Sequence, residues 1–150
     1  MKIETISVSN VIFHDSDFCG KPKDCNVLVS LYGQVYCGTP NFIEDYFEGT
    51  IEIPKYMIGQ GDFFALRAKG DSMIDAGIYD GDILIIKMQD YAENGQIVVA
   101  LIEQDVTLKR FFALDTEQKY LLHPENKEYN DIITSKCKII GIAVKILKNI

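Results

Sequence analysis

The chain has 150 residues, of which 47% are hydrophobic and 25% charged, and its formal net charge is −7. That length supports one domain with its own core, and the acidic balance speaks against a surface built from phosphate contacts. No apolar run reaches the roughly 20 residues that cross a bilayer, and Met1-Lys2-Ile3-Glu4-Thr5 lacks the apolar stretch of a signal peptide. A cytoplasmic protein is expected, with no membrane contact and no direct DNA binding, so that any route to DNA passes through a protein partner.

The cysteines are Cys19, Cys25, Cys37 and Cys137. No Cys-x₂-Cys pair of the kind that holds zinc occurs. Free thiols are expected in a cytoplasmic chain, and neither a metal nor a cofactor is implied.

Residues 1 to about 36 read as an arm with some strand character. Asn10-Val11-Ile12-Phe13-His14 and Asn26-Val27-Leu28-Val29-Ser30-Leu31-Tyr32 carry β-branched and aromatic residues. The polar segment between them, with Asp15, Ser16, Asp17, Gly20 and Pro22, reads as a loop. The arm has neither the length nor the pattern for the helices of a helix-turn-helix domain. Tyr36-Cys37-Gly38-Thr39-Pro40 reads as a turn ahead of a helix, with Thr39 near the cap and Pro40 near the first helical position. Apolar residues at 42, 43, 46 and 47 predict a short amphipathic helix over 41–48. Thr50 to Pro54 is a brief extended piece.

Phe63-Phe64-Ala65-Leu66-Arg67-Ala68 leads as a strand into Lys69-Gly70-Asp71-Ser72-Met73-Ile74-Asp75-Ala76-Gly77-Ile78-Tyr79-Asp80-Gly81-Asp82. Ile83 to Met88 reads as a buried strand and Gln96 to Glu103 as another. Gln104-Asp105 reverses the chain, and Val106 to Phe112 returns beside its predecessor. Lys119 to His123 and Lys138 to Ile146 supply two more strands. The fold class is mostly β, with many short strands and one or two short helices.

A serine placed where a strand gives way to a turn can expose its hydroxyl beside backbone N–H groups able to stabilise an oxyanion. It still needs a base. The only histidines are His14 and His123, and a Ser72/His123 pair is a weak alternative. Lys109 stands instead in an apolar strand, Val106-Thr107-Leu108-Lys109-Arg110-Phe111-Phe112. A lysine is a base only when neutral, and burial against Val, Leu and Phe disfavours the ammonium. Taken singly, Ser72 is a turn serine and Lys109 an exposed strand lysine. Asp71 and Asp75 read as solvated or capping residues.

Gly70-Asp71-Ser72-Met73-Ile74-Asp75, Gly77-Ile78-Tyr79-Asp80-Gly81-Asp82, Gly95-Gln96-Ile97-Val98-Val99-Ala100 and Val106-Thr107-Leu108-Lys109-Arg110 occur in that order. This ordered set closely resembles the LexA/UmuD family of self-cleaving serine/lysine peptidases, from about Tyr36 to Ile146. The resemblance implies that Ser72 is the nucleophile and Lys109 the general base. The backbone N–H groups of Ser72 and Met73 would form the oxyanion hole. It implies a cut at Cys37–Gly38, dividing the chain into an arm, 1–37, and a peptidase and dimerisation domain, 38–150. Cys19–Gly20 repeats the dipeptide but lies too far before Ser72. Pro124-Glu125-Asn126 resembles a family loop that supports the fold.

Without helix-turn-helix helices, the chain looks nearest the short UmuD-like members of the SOS response. That implies a homodimer, paired through the apolar strand Ile139–Ile146 as an exposed edge. It also implies activation by RecA on single-stranded DNA and a Y-family, UmuC-like DNA polymerase as the partner in error-prone synthesis. Three other readings compete. One is a non-cleaving interaction module of a polymerase or repressor complex. Another is a truncated LexA-like or phage repressor peptidase domain. The third, a signal-peptidase relative, would need a membrane anchor.

Overall fold

Two continuous apolar runs, Ile83-Leu84-Ile85-Ile86 and Ile97-Val98-Val99-Ala100-Leu101-Ile102, are what a strand buried on both faces requires. Both form central strands of a sheet in the computed structural model, which describes residues 5–6, 26–33, 46–103, 105–115 and 118–148. The strands are β1 (Thr5–Ile6), β2 (Asn26–Tyr32), β3 (Phe47–Pro54), β4 (Phe63–Arg67), β5 (Ile83–Met88), β6 (Ile97–Ile102), β7 (Asp105–Ala113), β8 (Tyr120–His123), β9 (Ile132–Thr134) and β10 (Lys138–Leu147). One short helix, α1 (Lys55–Ile58), and a 3-10 turn over Ile74–Ala76 complete the described elements. The mostly β class is therefore observed.

The strands form a ten-stranded sheet in the order β1-β3-β2-β4-β5-β10-β6-β7-β8-β9. Side chains alternate across each strand, and this alternation sorts the interior into three clusters. Phe64 and Leu66 of β4, Leu84 and Ile86 of β5 and Val99 of β6 gather with Met73 and Ile78. On the opposite face Ala65 and Ile85 meet Val29, Leu31, Ile51 and Ile53. Val98 and Ala100 join Phe111, Leu122 and Ile139.

Three expectations change. The helix over 41–48 fails at its end: Phe47 and Glu48 open β3, which pairs with β2 from Asn26↔Pro54 to Tyr32↔Phe47; residues 41–45 lie outside the described residues. Ladder pairing and burial of Ile51 and Ile53 override the local helical spacing there. The terminal strand is not an exposed edge. β10 pairs with β6 through Lys138–Ile142 and with β5 through Gly141–Leu147. Strand β2, read as part of the arm, lies inside the sheet between β3 and β4, with Val29 and Leu31 buried. The strand expected over residues 10–14 lies outside the described residues, and β9 is a strand that pattern reading missed.

β10 carries two register irregularities, between Ile139 and Gly141 and between Ala143 and Lys145. Such bulges bend and twist a strand. At Gly141 the backbones approach so closely that a Cβ would stand 2.4 Å from the Lys87 carbonyl oxygen and 2.6 Å from Ile86 Cγ2. Gly141→Ala is therefore expected to destabilise the fold by about 1–3 kcal/mol, read as a lower midpoint in urea unfolding. An unchanged midpoint would mean that β5 and β10 part at no cost.

Candidate active site

Strand β4 ends at Arg67, and the chain then makes a loop closed at its neck. The Ala68 N–H donates to the Asp82 carbonyl at 2.7 Å, and the Gly81 N–H donates to the Ala68 carbonyl at 2.8 Å. Aspartates brace it from within: Asp80 Oδ1 accepts the Gly70 N–H at 2.7 Å, and Asp82 Oδ2 accepts the Tyr79 N–H at 2.8 Å. Lys148 also reaches Asp82 Oδ2, at 2.7 Å. Gly77, at φ 78, closes the 3-10 turn in the left-handed region that favours glycine. Ser72 sits at the start of this turn. Met73, 3% exposed, anchors it to the cluster of β4, β5 and β6.

Lys109 arrives from the other side. It lies on β7, opposite Val98 of β6, and is 9% exposed. Its Nζ lies 3.2 Å from Ser72 Oγ, 2.9 Å from Thr107 Oγ1 and 3.0 Å from the Leu108 carbonyl oxygen. These three partners are uncharged oxygens. A cavity of about 220 Å³ opens over the pair, walled by Leu66, Ala68, Gly70, Met73, Val106 and Leu108. Serine, amine and apolar wall together suit attack on a carbonyl that enters the cavity, with the amine as proton acceptor.

The two residues expected to react are thus brought into contact. Of the apolar neighbours expected around Lys109, Leu108 lines the cavity. Phe111 packs away from it with Val98, Leu122 and Ile139. His123 does not replace Lys109: its Nδ1 lies 2.5 Å from Asp131 Oδ1. Asp71 and Asp75 are exposed, as expected of solvated residues, and neither caps the 3-10 turn, which has no side-chain cap. Asp71 accepts instead from the Tyr129 hydroxyl. Cys37, Gly38, Cys19 and Cys25 lie outside the described residues. Cys137 is a free thiol, and burial pushes its pKa up, away from the reactive thiolate. Among the described residues no cluster of His, Cys, Asp or Glu could hold a metal ion.

Sequence reasoning missed Thr107 and Tyr129 and gave Asn126 only as part of a loop that supports the fold. Thr107 was recoverable, since residues two apart on a strand share a face. Asn126 and Tyr129 were not, because their contacts with Asp71 cross 55 and 58 positions of chain.

Residues 30–144 match the family model described as Peptidase S24-like. A LexA repressor of Caldicellulosiruptor saccharolyticus is 45% identical over 122 residues, covering 81% of this chain and 59% of that protein. One from Clostridium acetobutylicum is 43% identical over 114 residues, covering 75% and 55%. One from Leptospira biflexa serovar Patoc is 47% identical over 113 residues, again covering 75% and 55%. The chain thus spans less than two thirds of the length of these relatives. Among the described residues no helix is long and apolar enough to cross a membrane. With the matched region running from β2 into β10 and including both Ser72 and Lys109, the chain belongs to the Peptidase S24-like family, the group of LexA and UmuD.

Proposed function

We propose that this chain is a serine/lysine peptidase that cuts its own Cys37–Gly38 bond. The observation that carries the reading is the 3.2 Å contact between Lys109 Nζ and Ser72 Oγ. A neutral amine has two N–H donors and one lone pair. The Leu108 carbonyl and Thr107 Oγ1 take the two donors, which leaves the lone pair for the Ser72 hydroxyl proton. As that proton moves to Lys109, Oγ attacks the carbonyl carbon of Cys37. The N–H groups of Ser72 and Met73 stabilise the resulting oxyanion. Collapse breaks the bond to Gly38, whose nitrogen leaves with the proton held on Lys109. Water then hydrolyses the ester between Cys37 and Ser72.

Strand register supports this choice of bond. β2 runs parallel to β4, with Leu31 opposite Ala65 and Tyr32 opposite Leu66. β2 thus ends beside the strand that leads into the serine loop, and Cys37 follows five residues after Tyr32. A cut there severs the chain between β2 and β3 but does not remove β2 from the sheet. Release of residues 1–37 then requires a second step, the withdrawal of Val29 and Leu31 from the core.

Two roles follow for the cut. In the UmuD-like role, RecA on single-stranded DNA promotes it, and a trimmed homodimer assists a Y-family DNA polymerase. In the second, the domain is the switch of a repressor, inactivated by its own cleavage. The relatives named as repressors favour the second role. The stretch of β10 beyond its pairing with β6, residues 143–147, is the remaining candidate for dimer contact.

Incubation at rising pH tests the chemistry, because an alkaline medium approaching pH of about 10 populates the neutral amine without an activator. Intact-mass spectrometry should then find fragments ending at Cys37 and beginning at Gly38, with neither in Ser72→Ala or Lys109→Ala. A folded wild-type chain that stays whole would favour a non-cleaving interaction module. Native mass spectrometry of the cut protein should find the two fragments together at neutral pH, parting only in denaturant. Spontaneous separation would show that β2 is weakly held.

A further inference from the structure

The loop that follows β8 grips the residue just before Ser72. Pro124 is fully buried and seats the loop. Asn126, 8% exposed, donates from Nδ2 to the Asp71 carbonyl at 2.9 Å, while its Oδ1 accepts the Glu128 N–H at 3.0 Å. The Tyr129 hydroxyl donates to Asp71 Oδ1 at 2.5 Å. On the far side of Ser72, the Asp75 N–H donates to the Glu125 carbonyl at 2.8 Å. The Glu125 carboxylate pairs with Arg110, the neighbour of Lys109. One loop therefore holds both flanks of the serine and touches the lysine's strand.

The contact at Asp71 has a geometric consequence. A peptide unit is planar, so the direction of the Asp71 carbonyl also sets the direction of the Ser72 N–H. The other N–H on that carbonyl, from Ile74, is longer at 3.3 Å. Donors in an oxyanion hole act through being aimed before the charge develops.

We propose that Asn126, backed by Tyr129, is a positioning residue for self-cleavage. It holds the Asp71–Ser72 peptide so that the Ser72 N–H faces the forming oxyanion. Neither residue touches a reacting atom, and the inference rests on the Ser72/Lys109 reading above. Tyr129 suits an alkaline reaction: its bond to Asp71 raises its pKa above the usual tyrosine value. A raised value keeps the phenol a donor through the ordinary tyrosine titration range, and the contact is lost only as pH climbs through the raised value.

Asn126→Asp is the discriminating variant. It keeps the size of the side chain and the acceptor for the Glu128 N–H, but turns a carboxylate oxygen toward the Asp71 carbonyl. The plateau rate of alkaline self-cleavage should fall about tenfold to a hundredfold, less than deleting an oxyanion donor outright. The midpoint of the rate–pH profile should stay where it is, because Lys109 keeps its partners. Tyr129→Phe, at an exposed position, should slow the plateau about threefold. A well-folded Asn126→Asp protein that cuts at the wild-type rate would overturn the proposal. So would one whose plateau holds while its midpoint moves. If that variant does not fold, Tyr129→Phe decides, and a wild-type rate there overturns the proposal equally. Failure of the wild-type chain to cut would instead sink the Ser72/Lys109 reading itself.

Discussion

The pairing of Ser72 with Lys109 spans strands that are not neighbours. β4, which delivers the serine, and β7, which carries the lysine, are separated in the sheet by β5, β10 and β6. A flat sheet would hold strands four places apart at roughly four times the 4.7–4.9 Å strand spacing. The loop beyond Arg67, the length of the lysine side chain and the bending of the strands between them together close that gap to 3.2 Å. The two bulges of β10, the middle strand of those five, supply bend and twist, and Gly141 removes the Cβ that would push β5 away. The interior is then filled by Met73, Ile78 and the inward residues of β4, β5 and β6.

Electrostatics at the site follow from the same enclosure. A buried lysine beside a carboxylate would be held as an ammonium, which cannot accept a proton. Two hydroxyls and a peptide carbonyl are among the partners of Lys109 Nζ. The aspartates of the serine loop are used elsewhere. Asp80 and Asp82 accept backbone N–H groups within the loop, and Asp71 accepts from Tyr129. An acidic segment thus stiffens the loop that carries Ser72.

Strand β2 gives the proposed reaction a mechanical side. It pairs with β3 over seven register partners and with β4 over two, and its buried residues complete a core cluster. The proposed bond follows β2 closely in the sequence, which favours an intramolecular cut by lowering the entropy of bringing the bond to the serine. The same pairing opposes separation of the products. Cleavage and release become distinct events, and a partner that draws β2 out would control the second.

Much of the architecture was legible because it is local. The apolar runs of β5, β6 and β10, and the hairpin of β6 with β7, follow from residue periodicity and turn residues, and the structure matches them closely. Ser72 and Lys109 were legible only through the ordered motifs around them, since an isolated serine or lysine carries no such signal. The 41–48 spacing misled at Phe47 because pairing with β2 outweighs helical periodicity. The terminal strand misled because hydrophobicity records burial without saying which neighbours provide it. By itself, then, the sequence determined the mostly β class, most of the central strands and the candidate pair of Ser72 and Lys109, all encoded over short spans of chain. Tertiary structure alone decided that β10 is interior, that β2 belongs to the core, and that Asn126 and Tyr129 reach Asp71. Those contacts join segments distant in the chain, which local periodicity does not record.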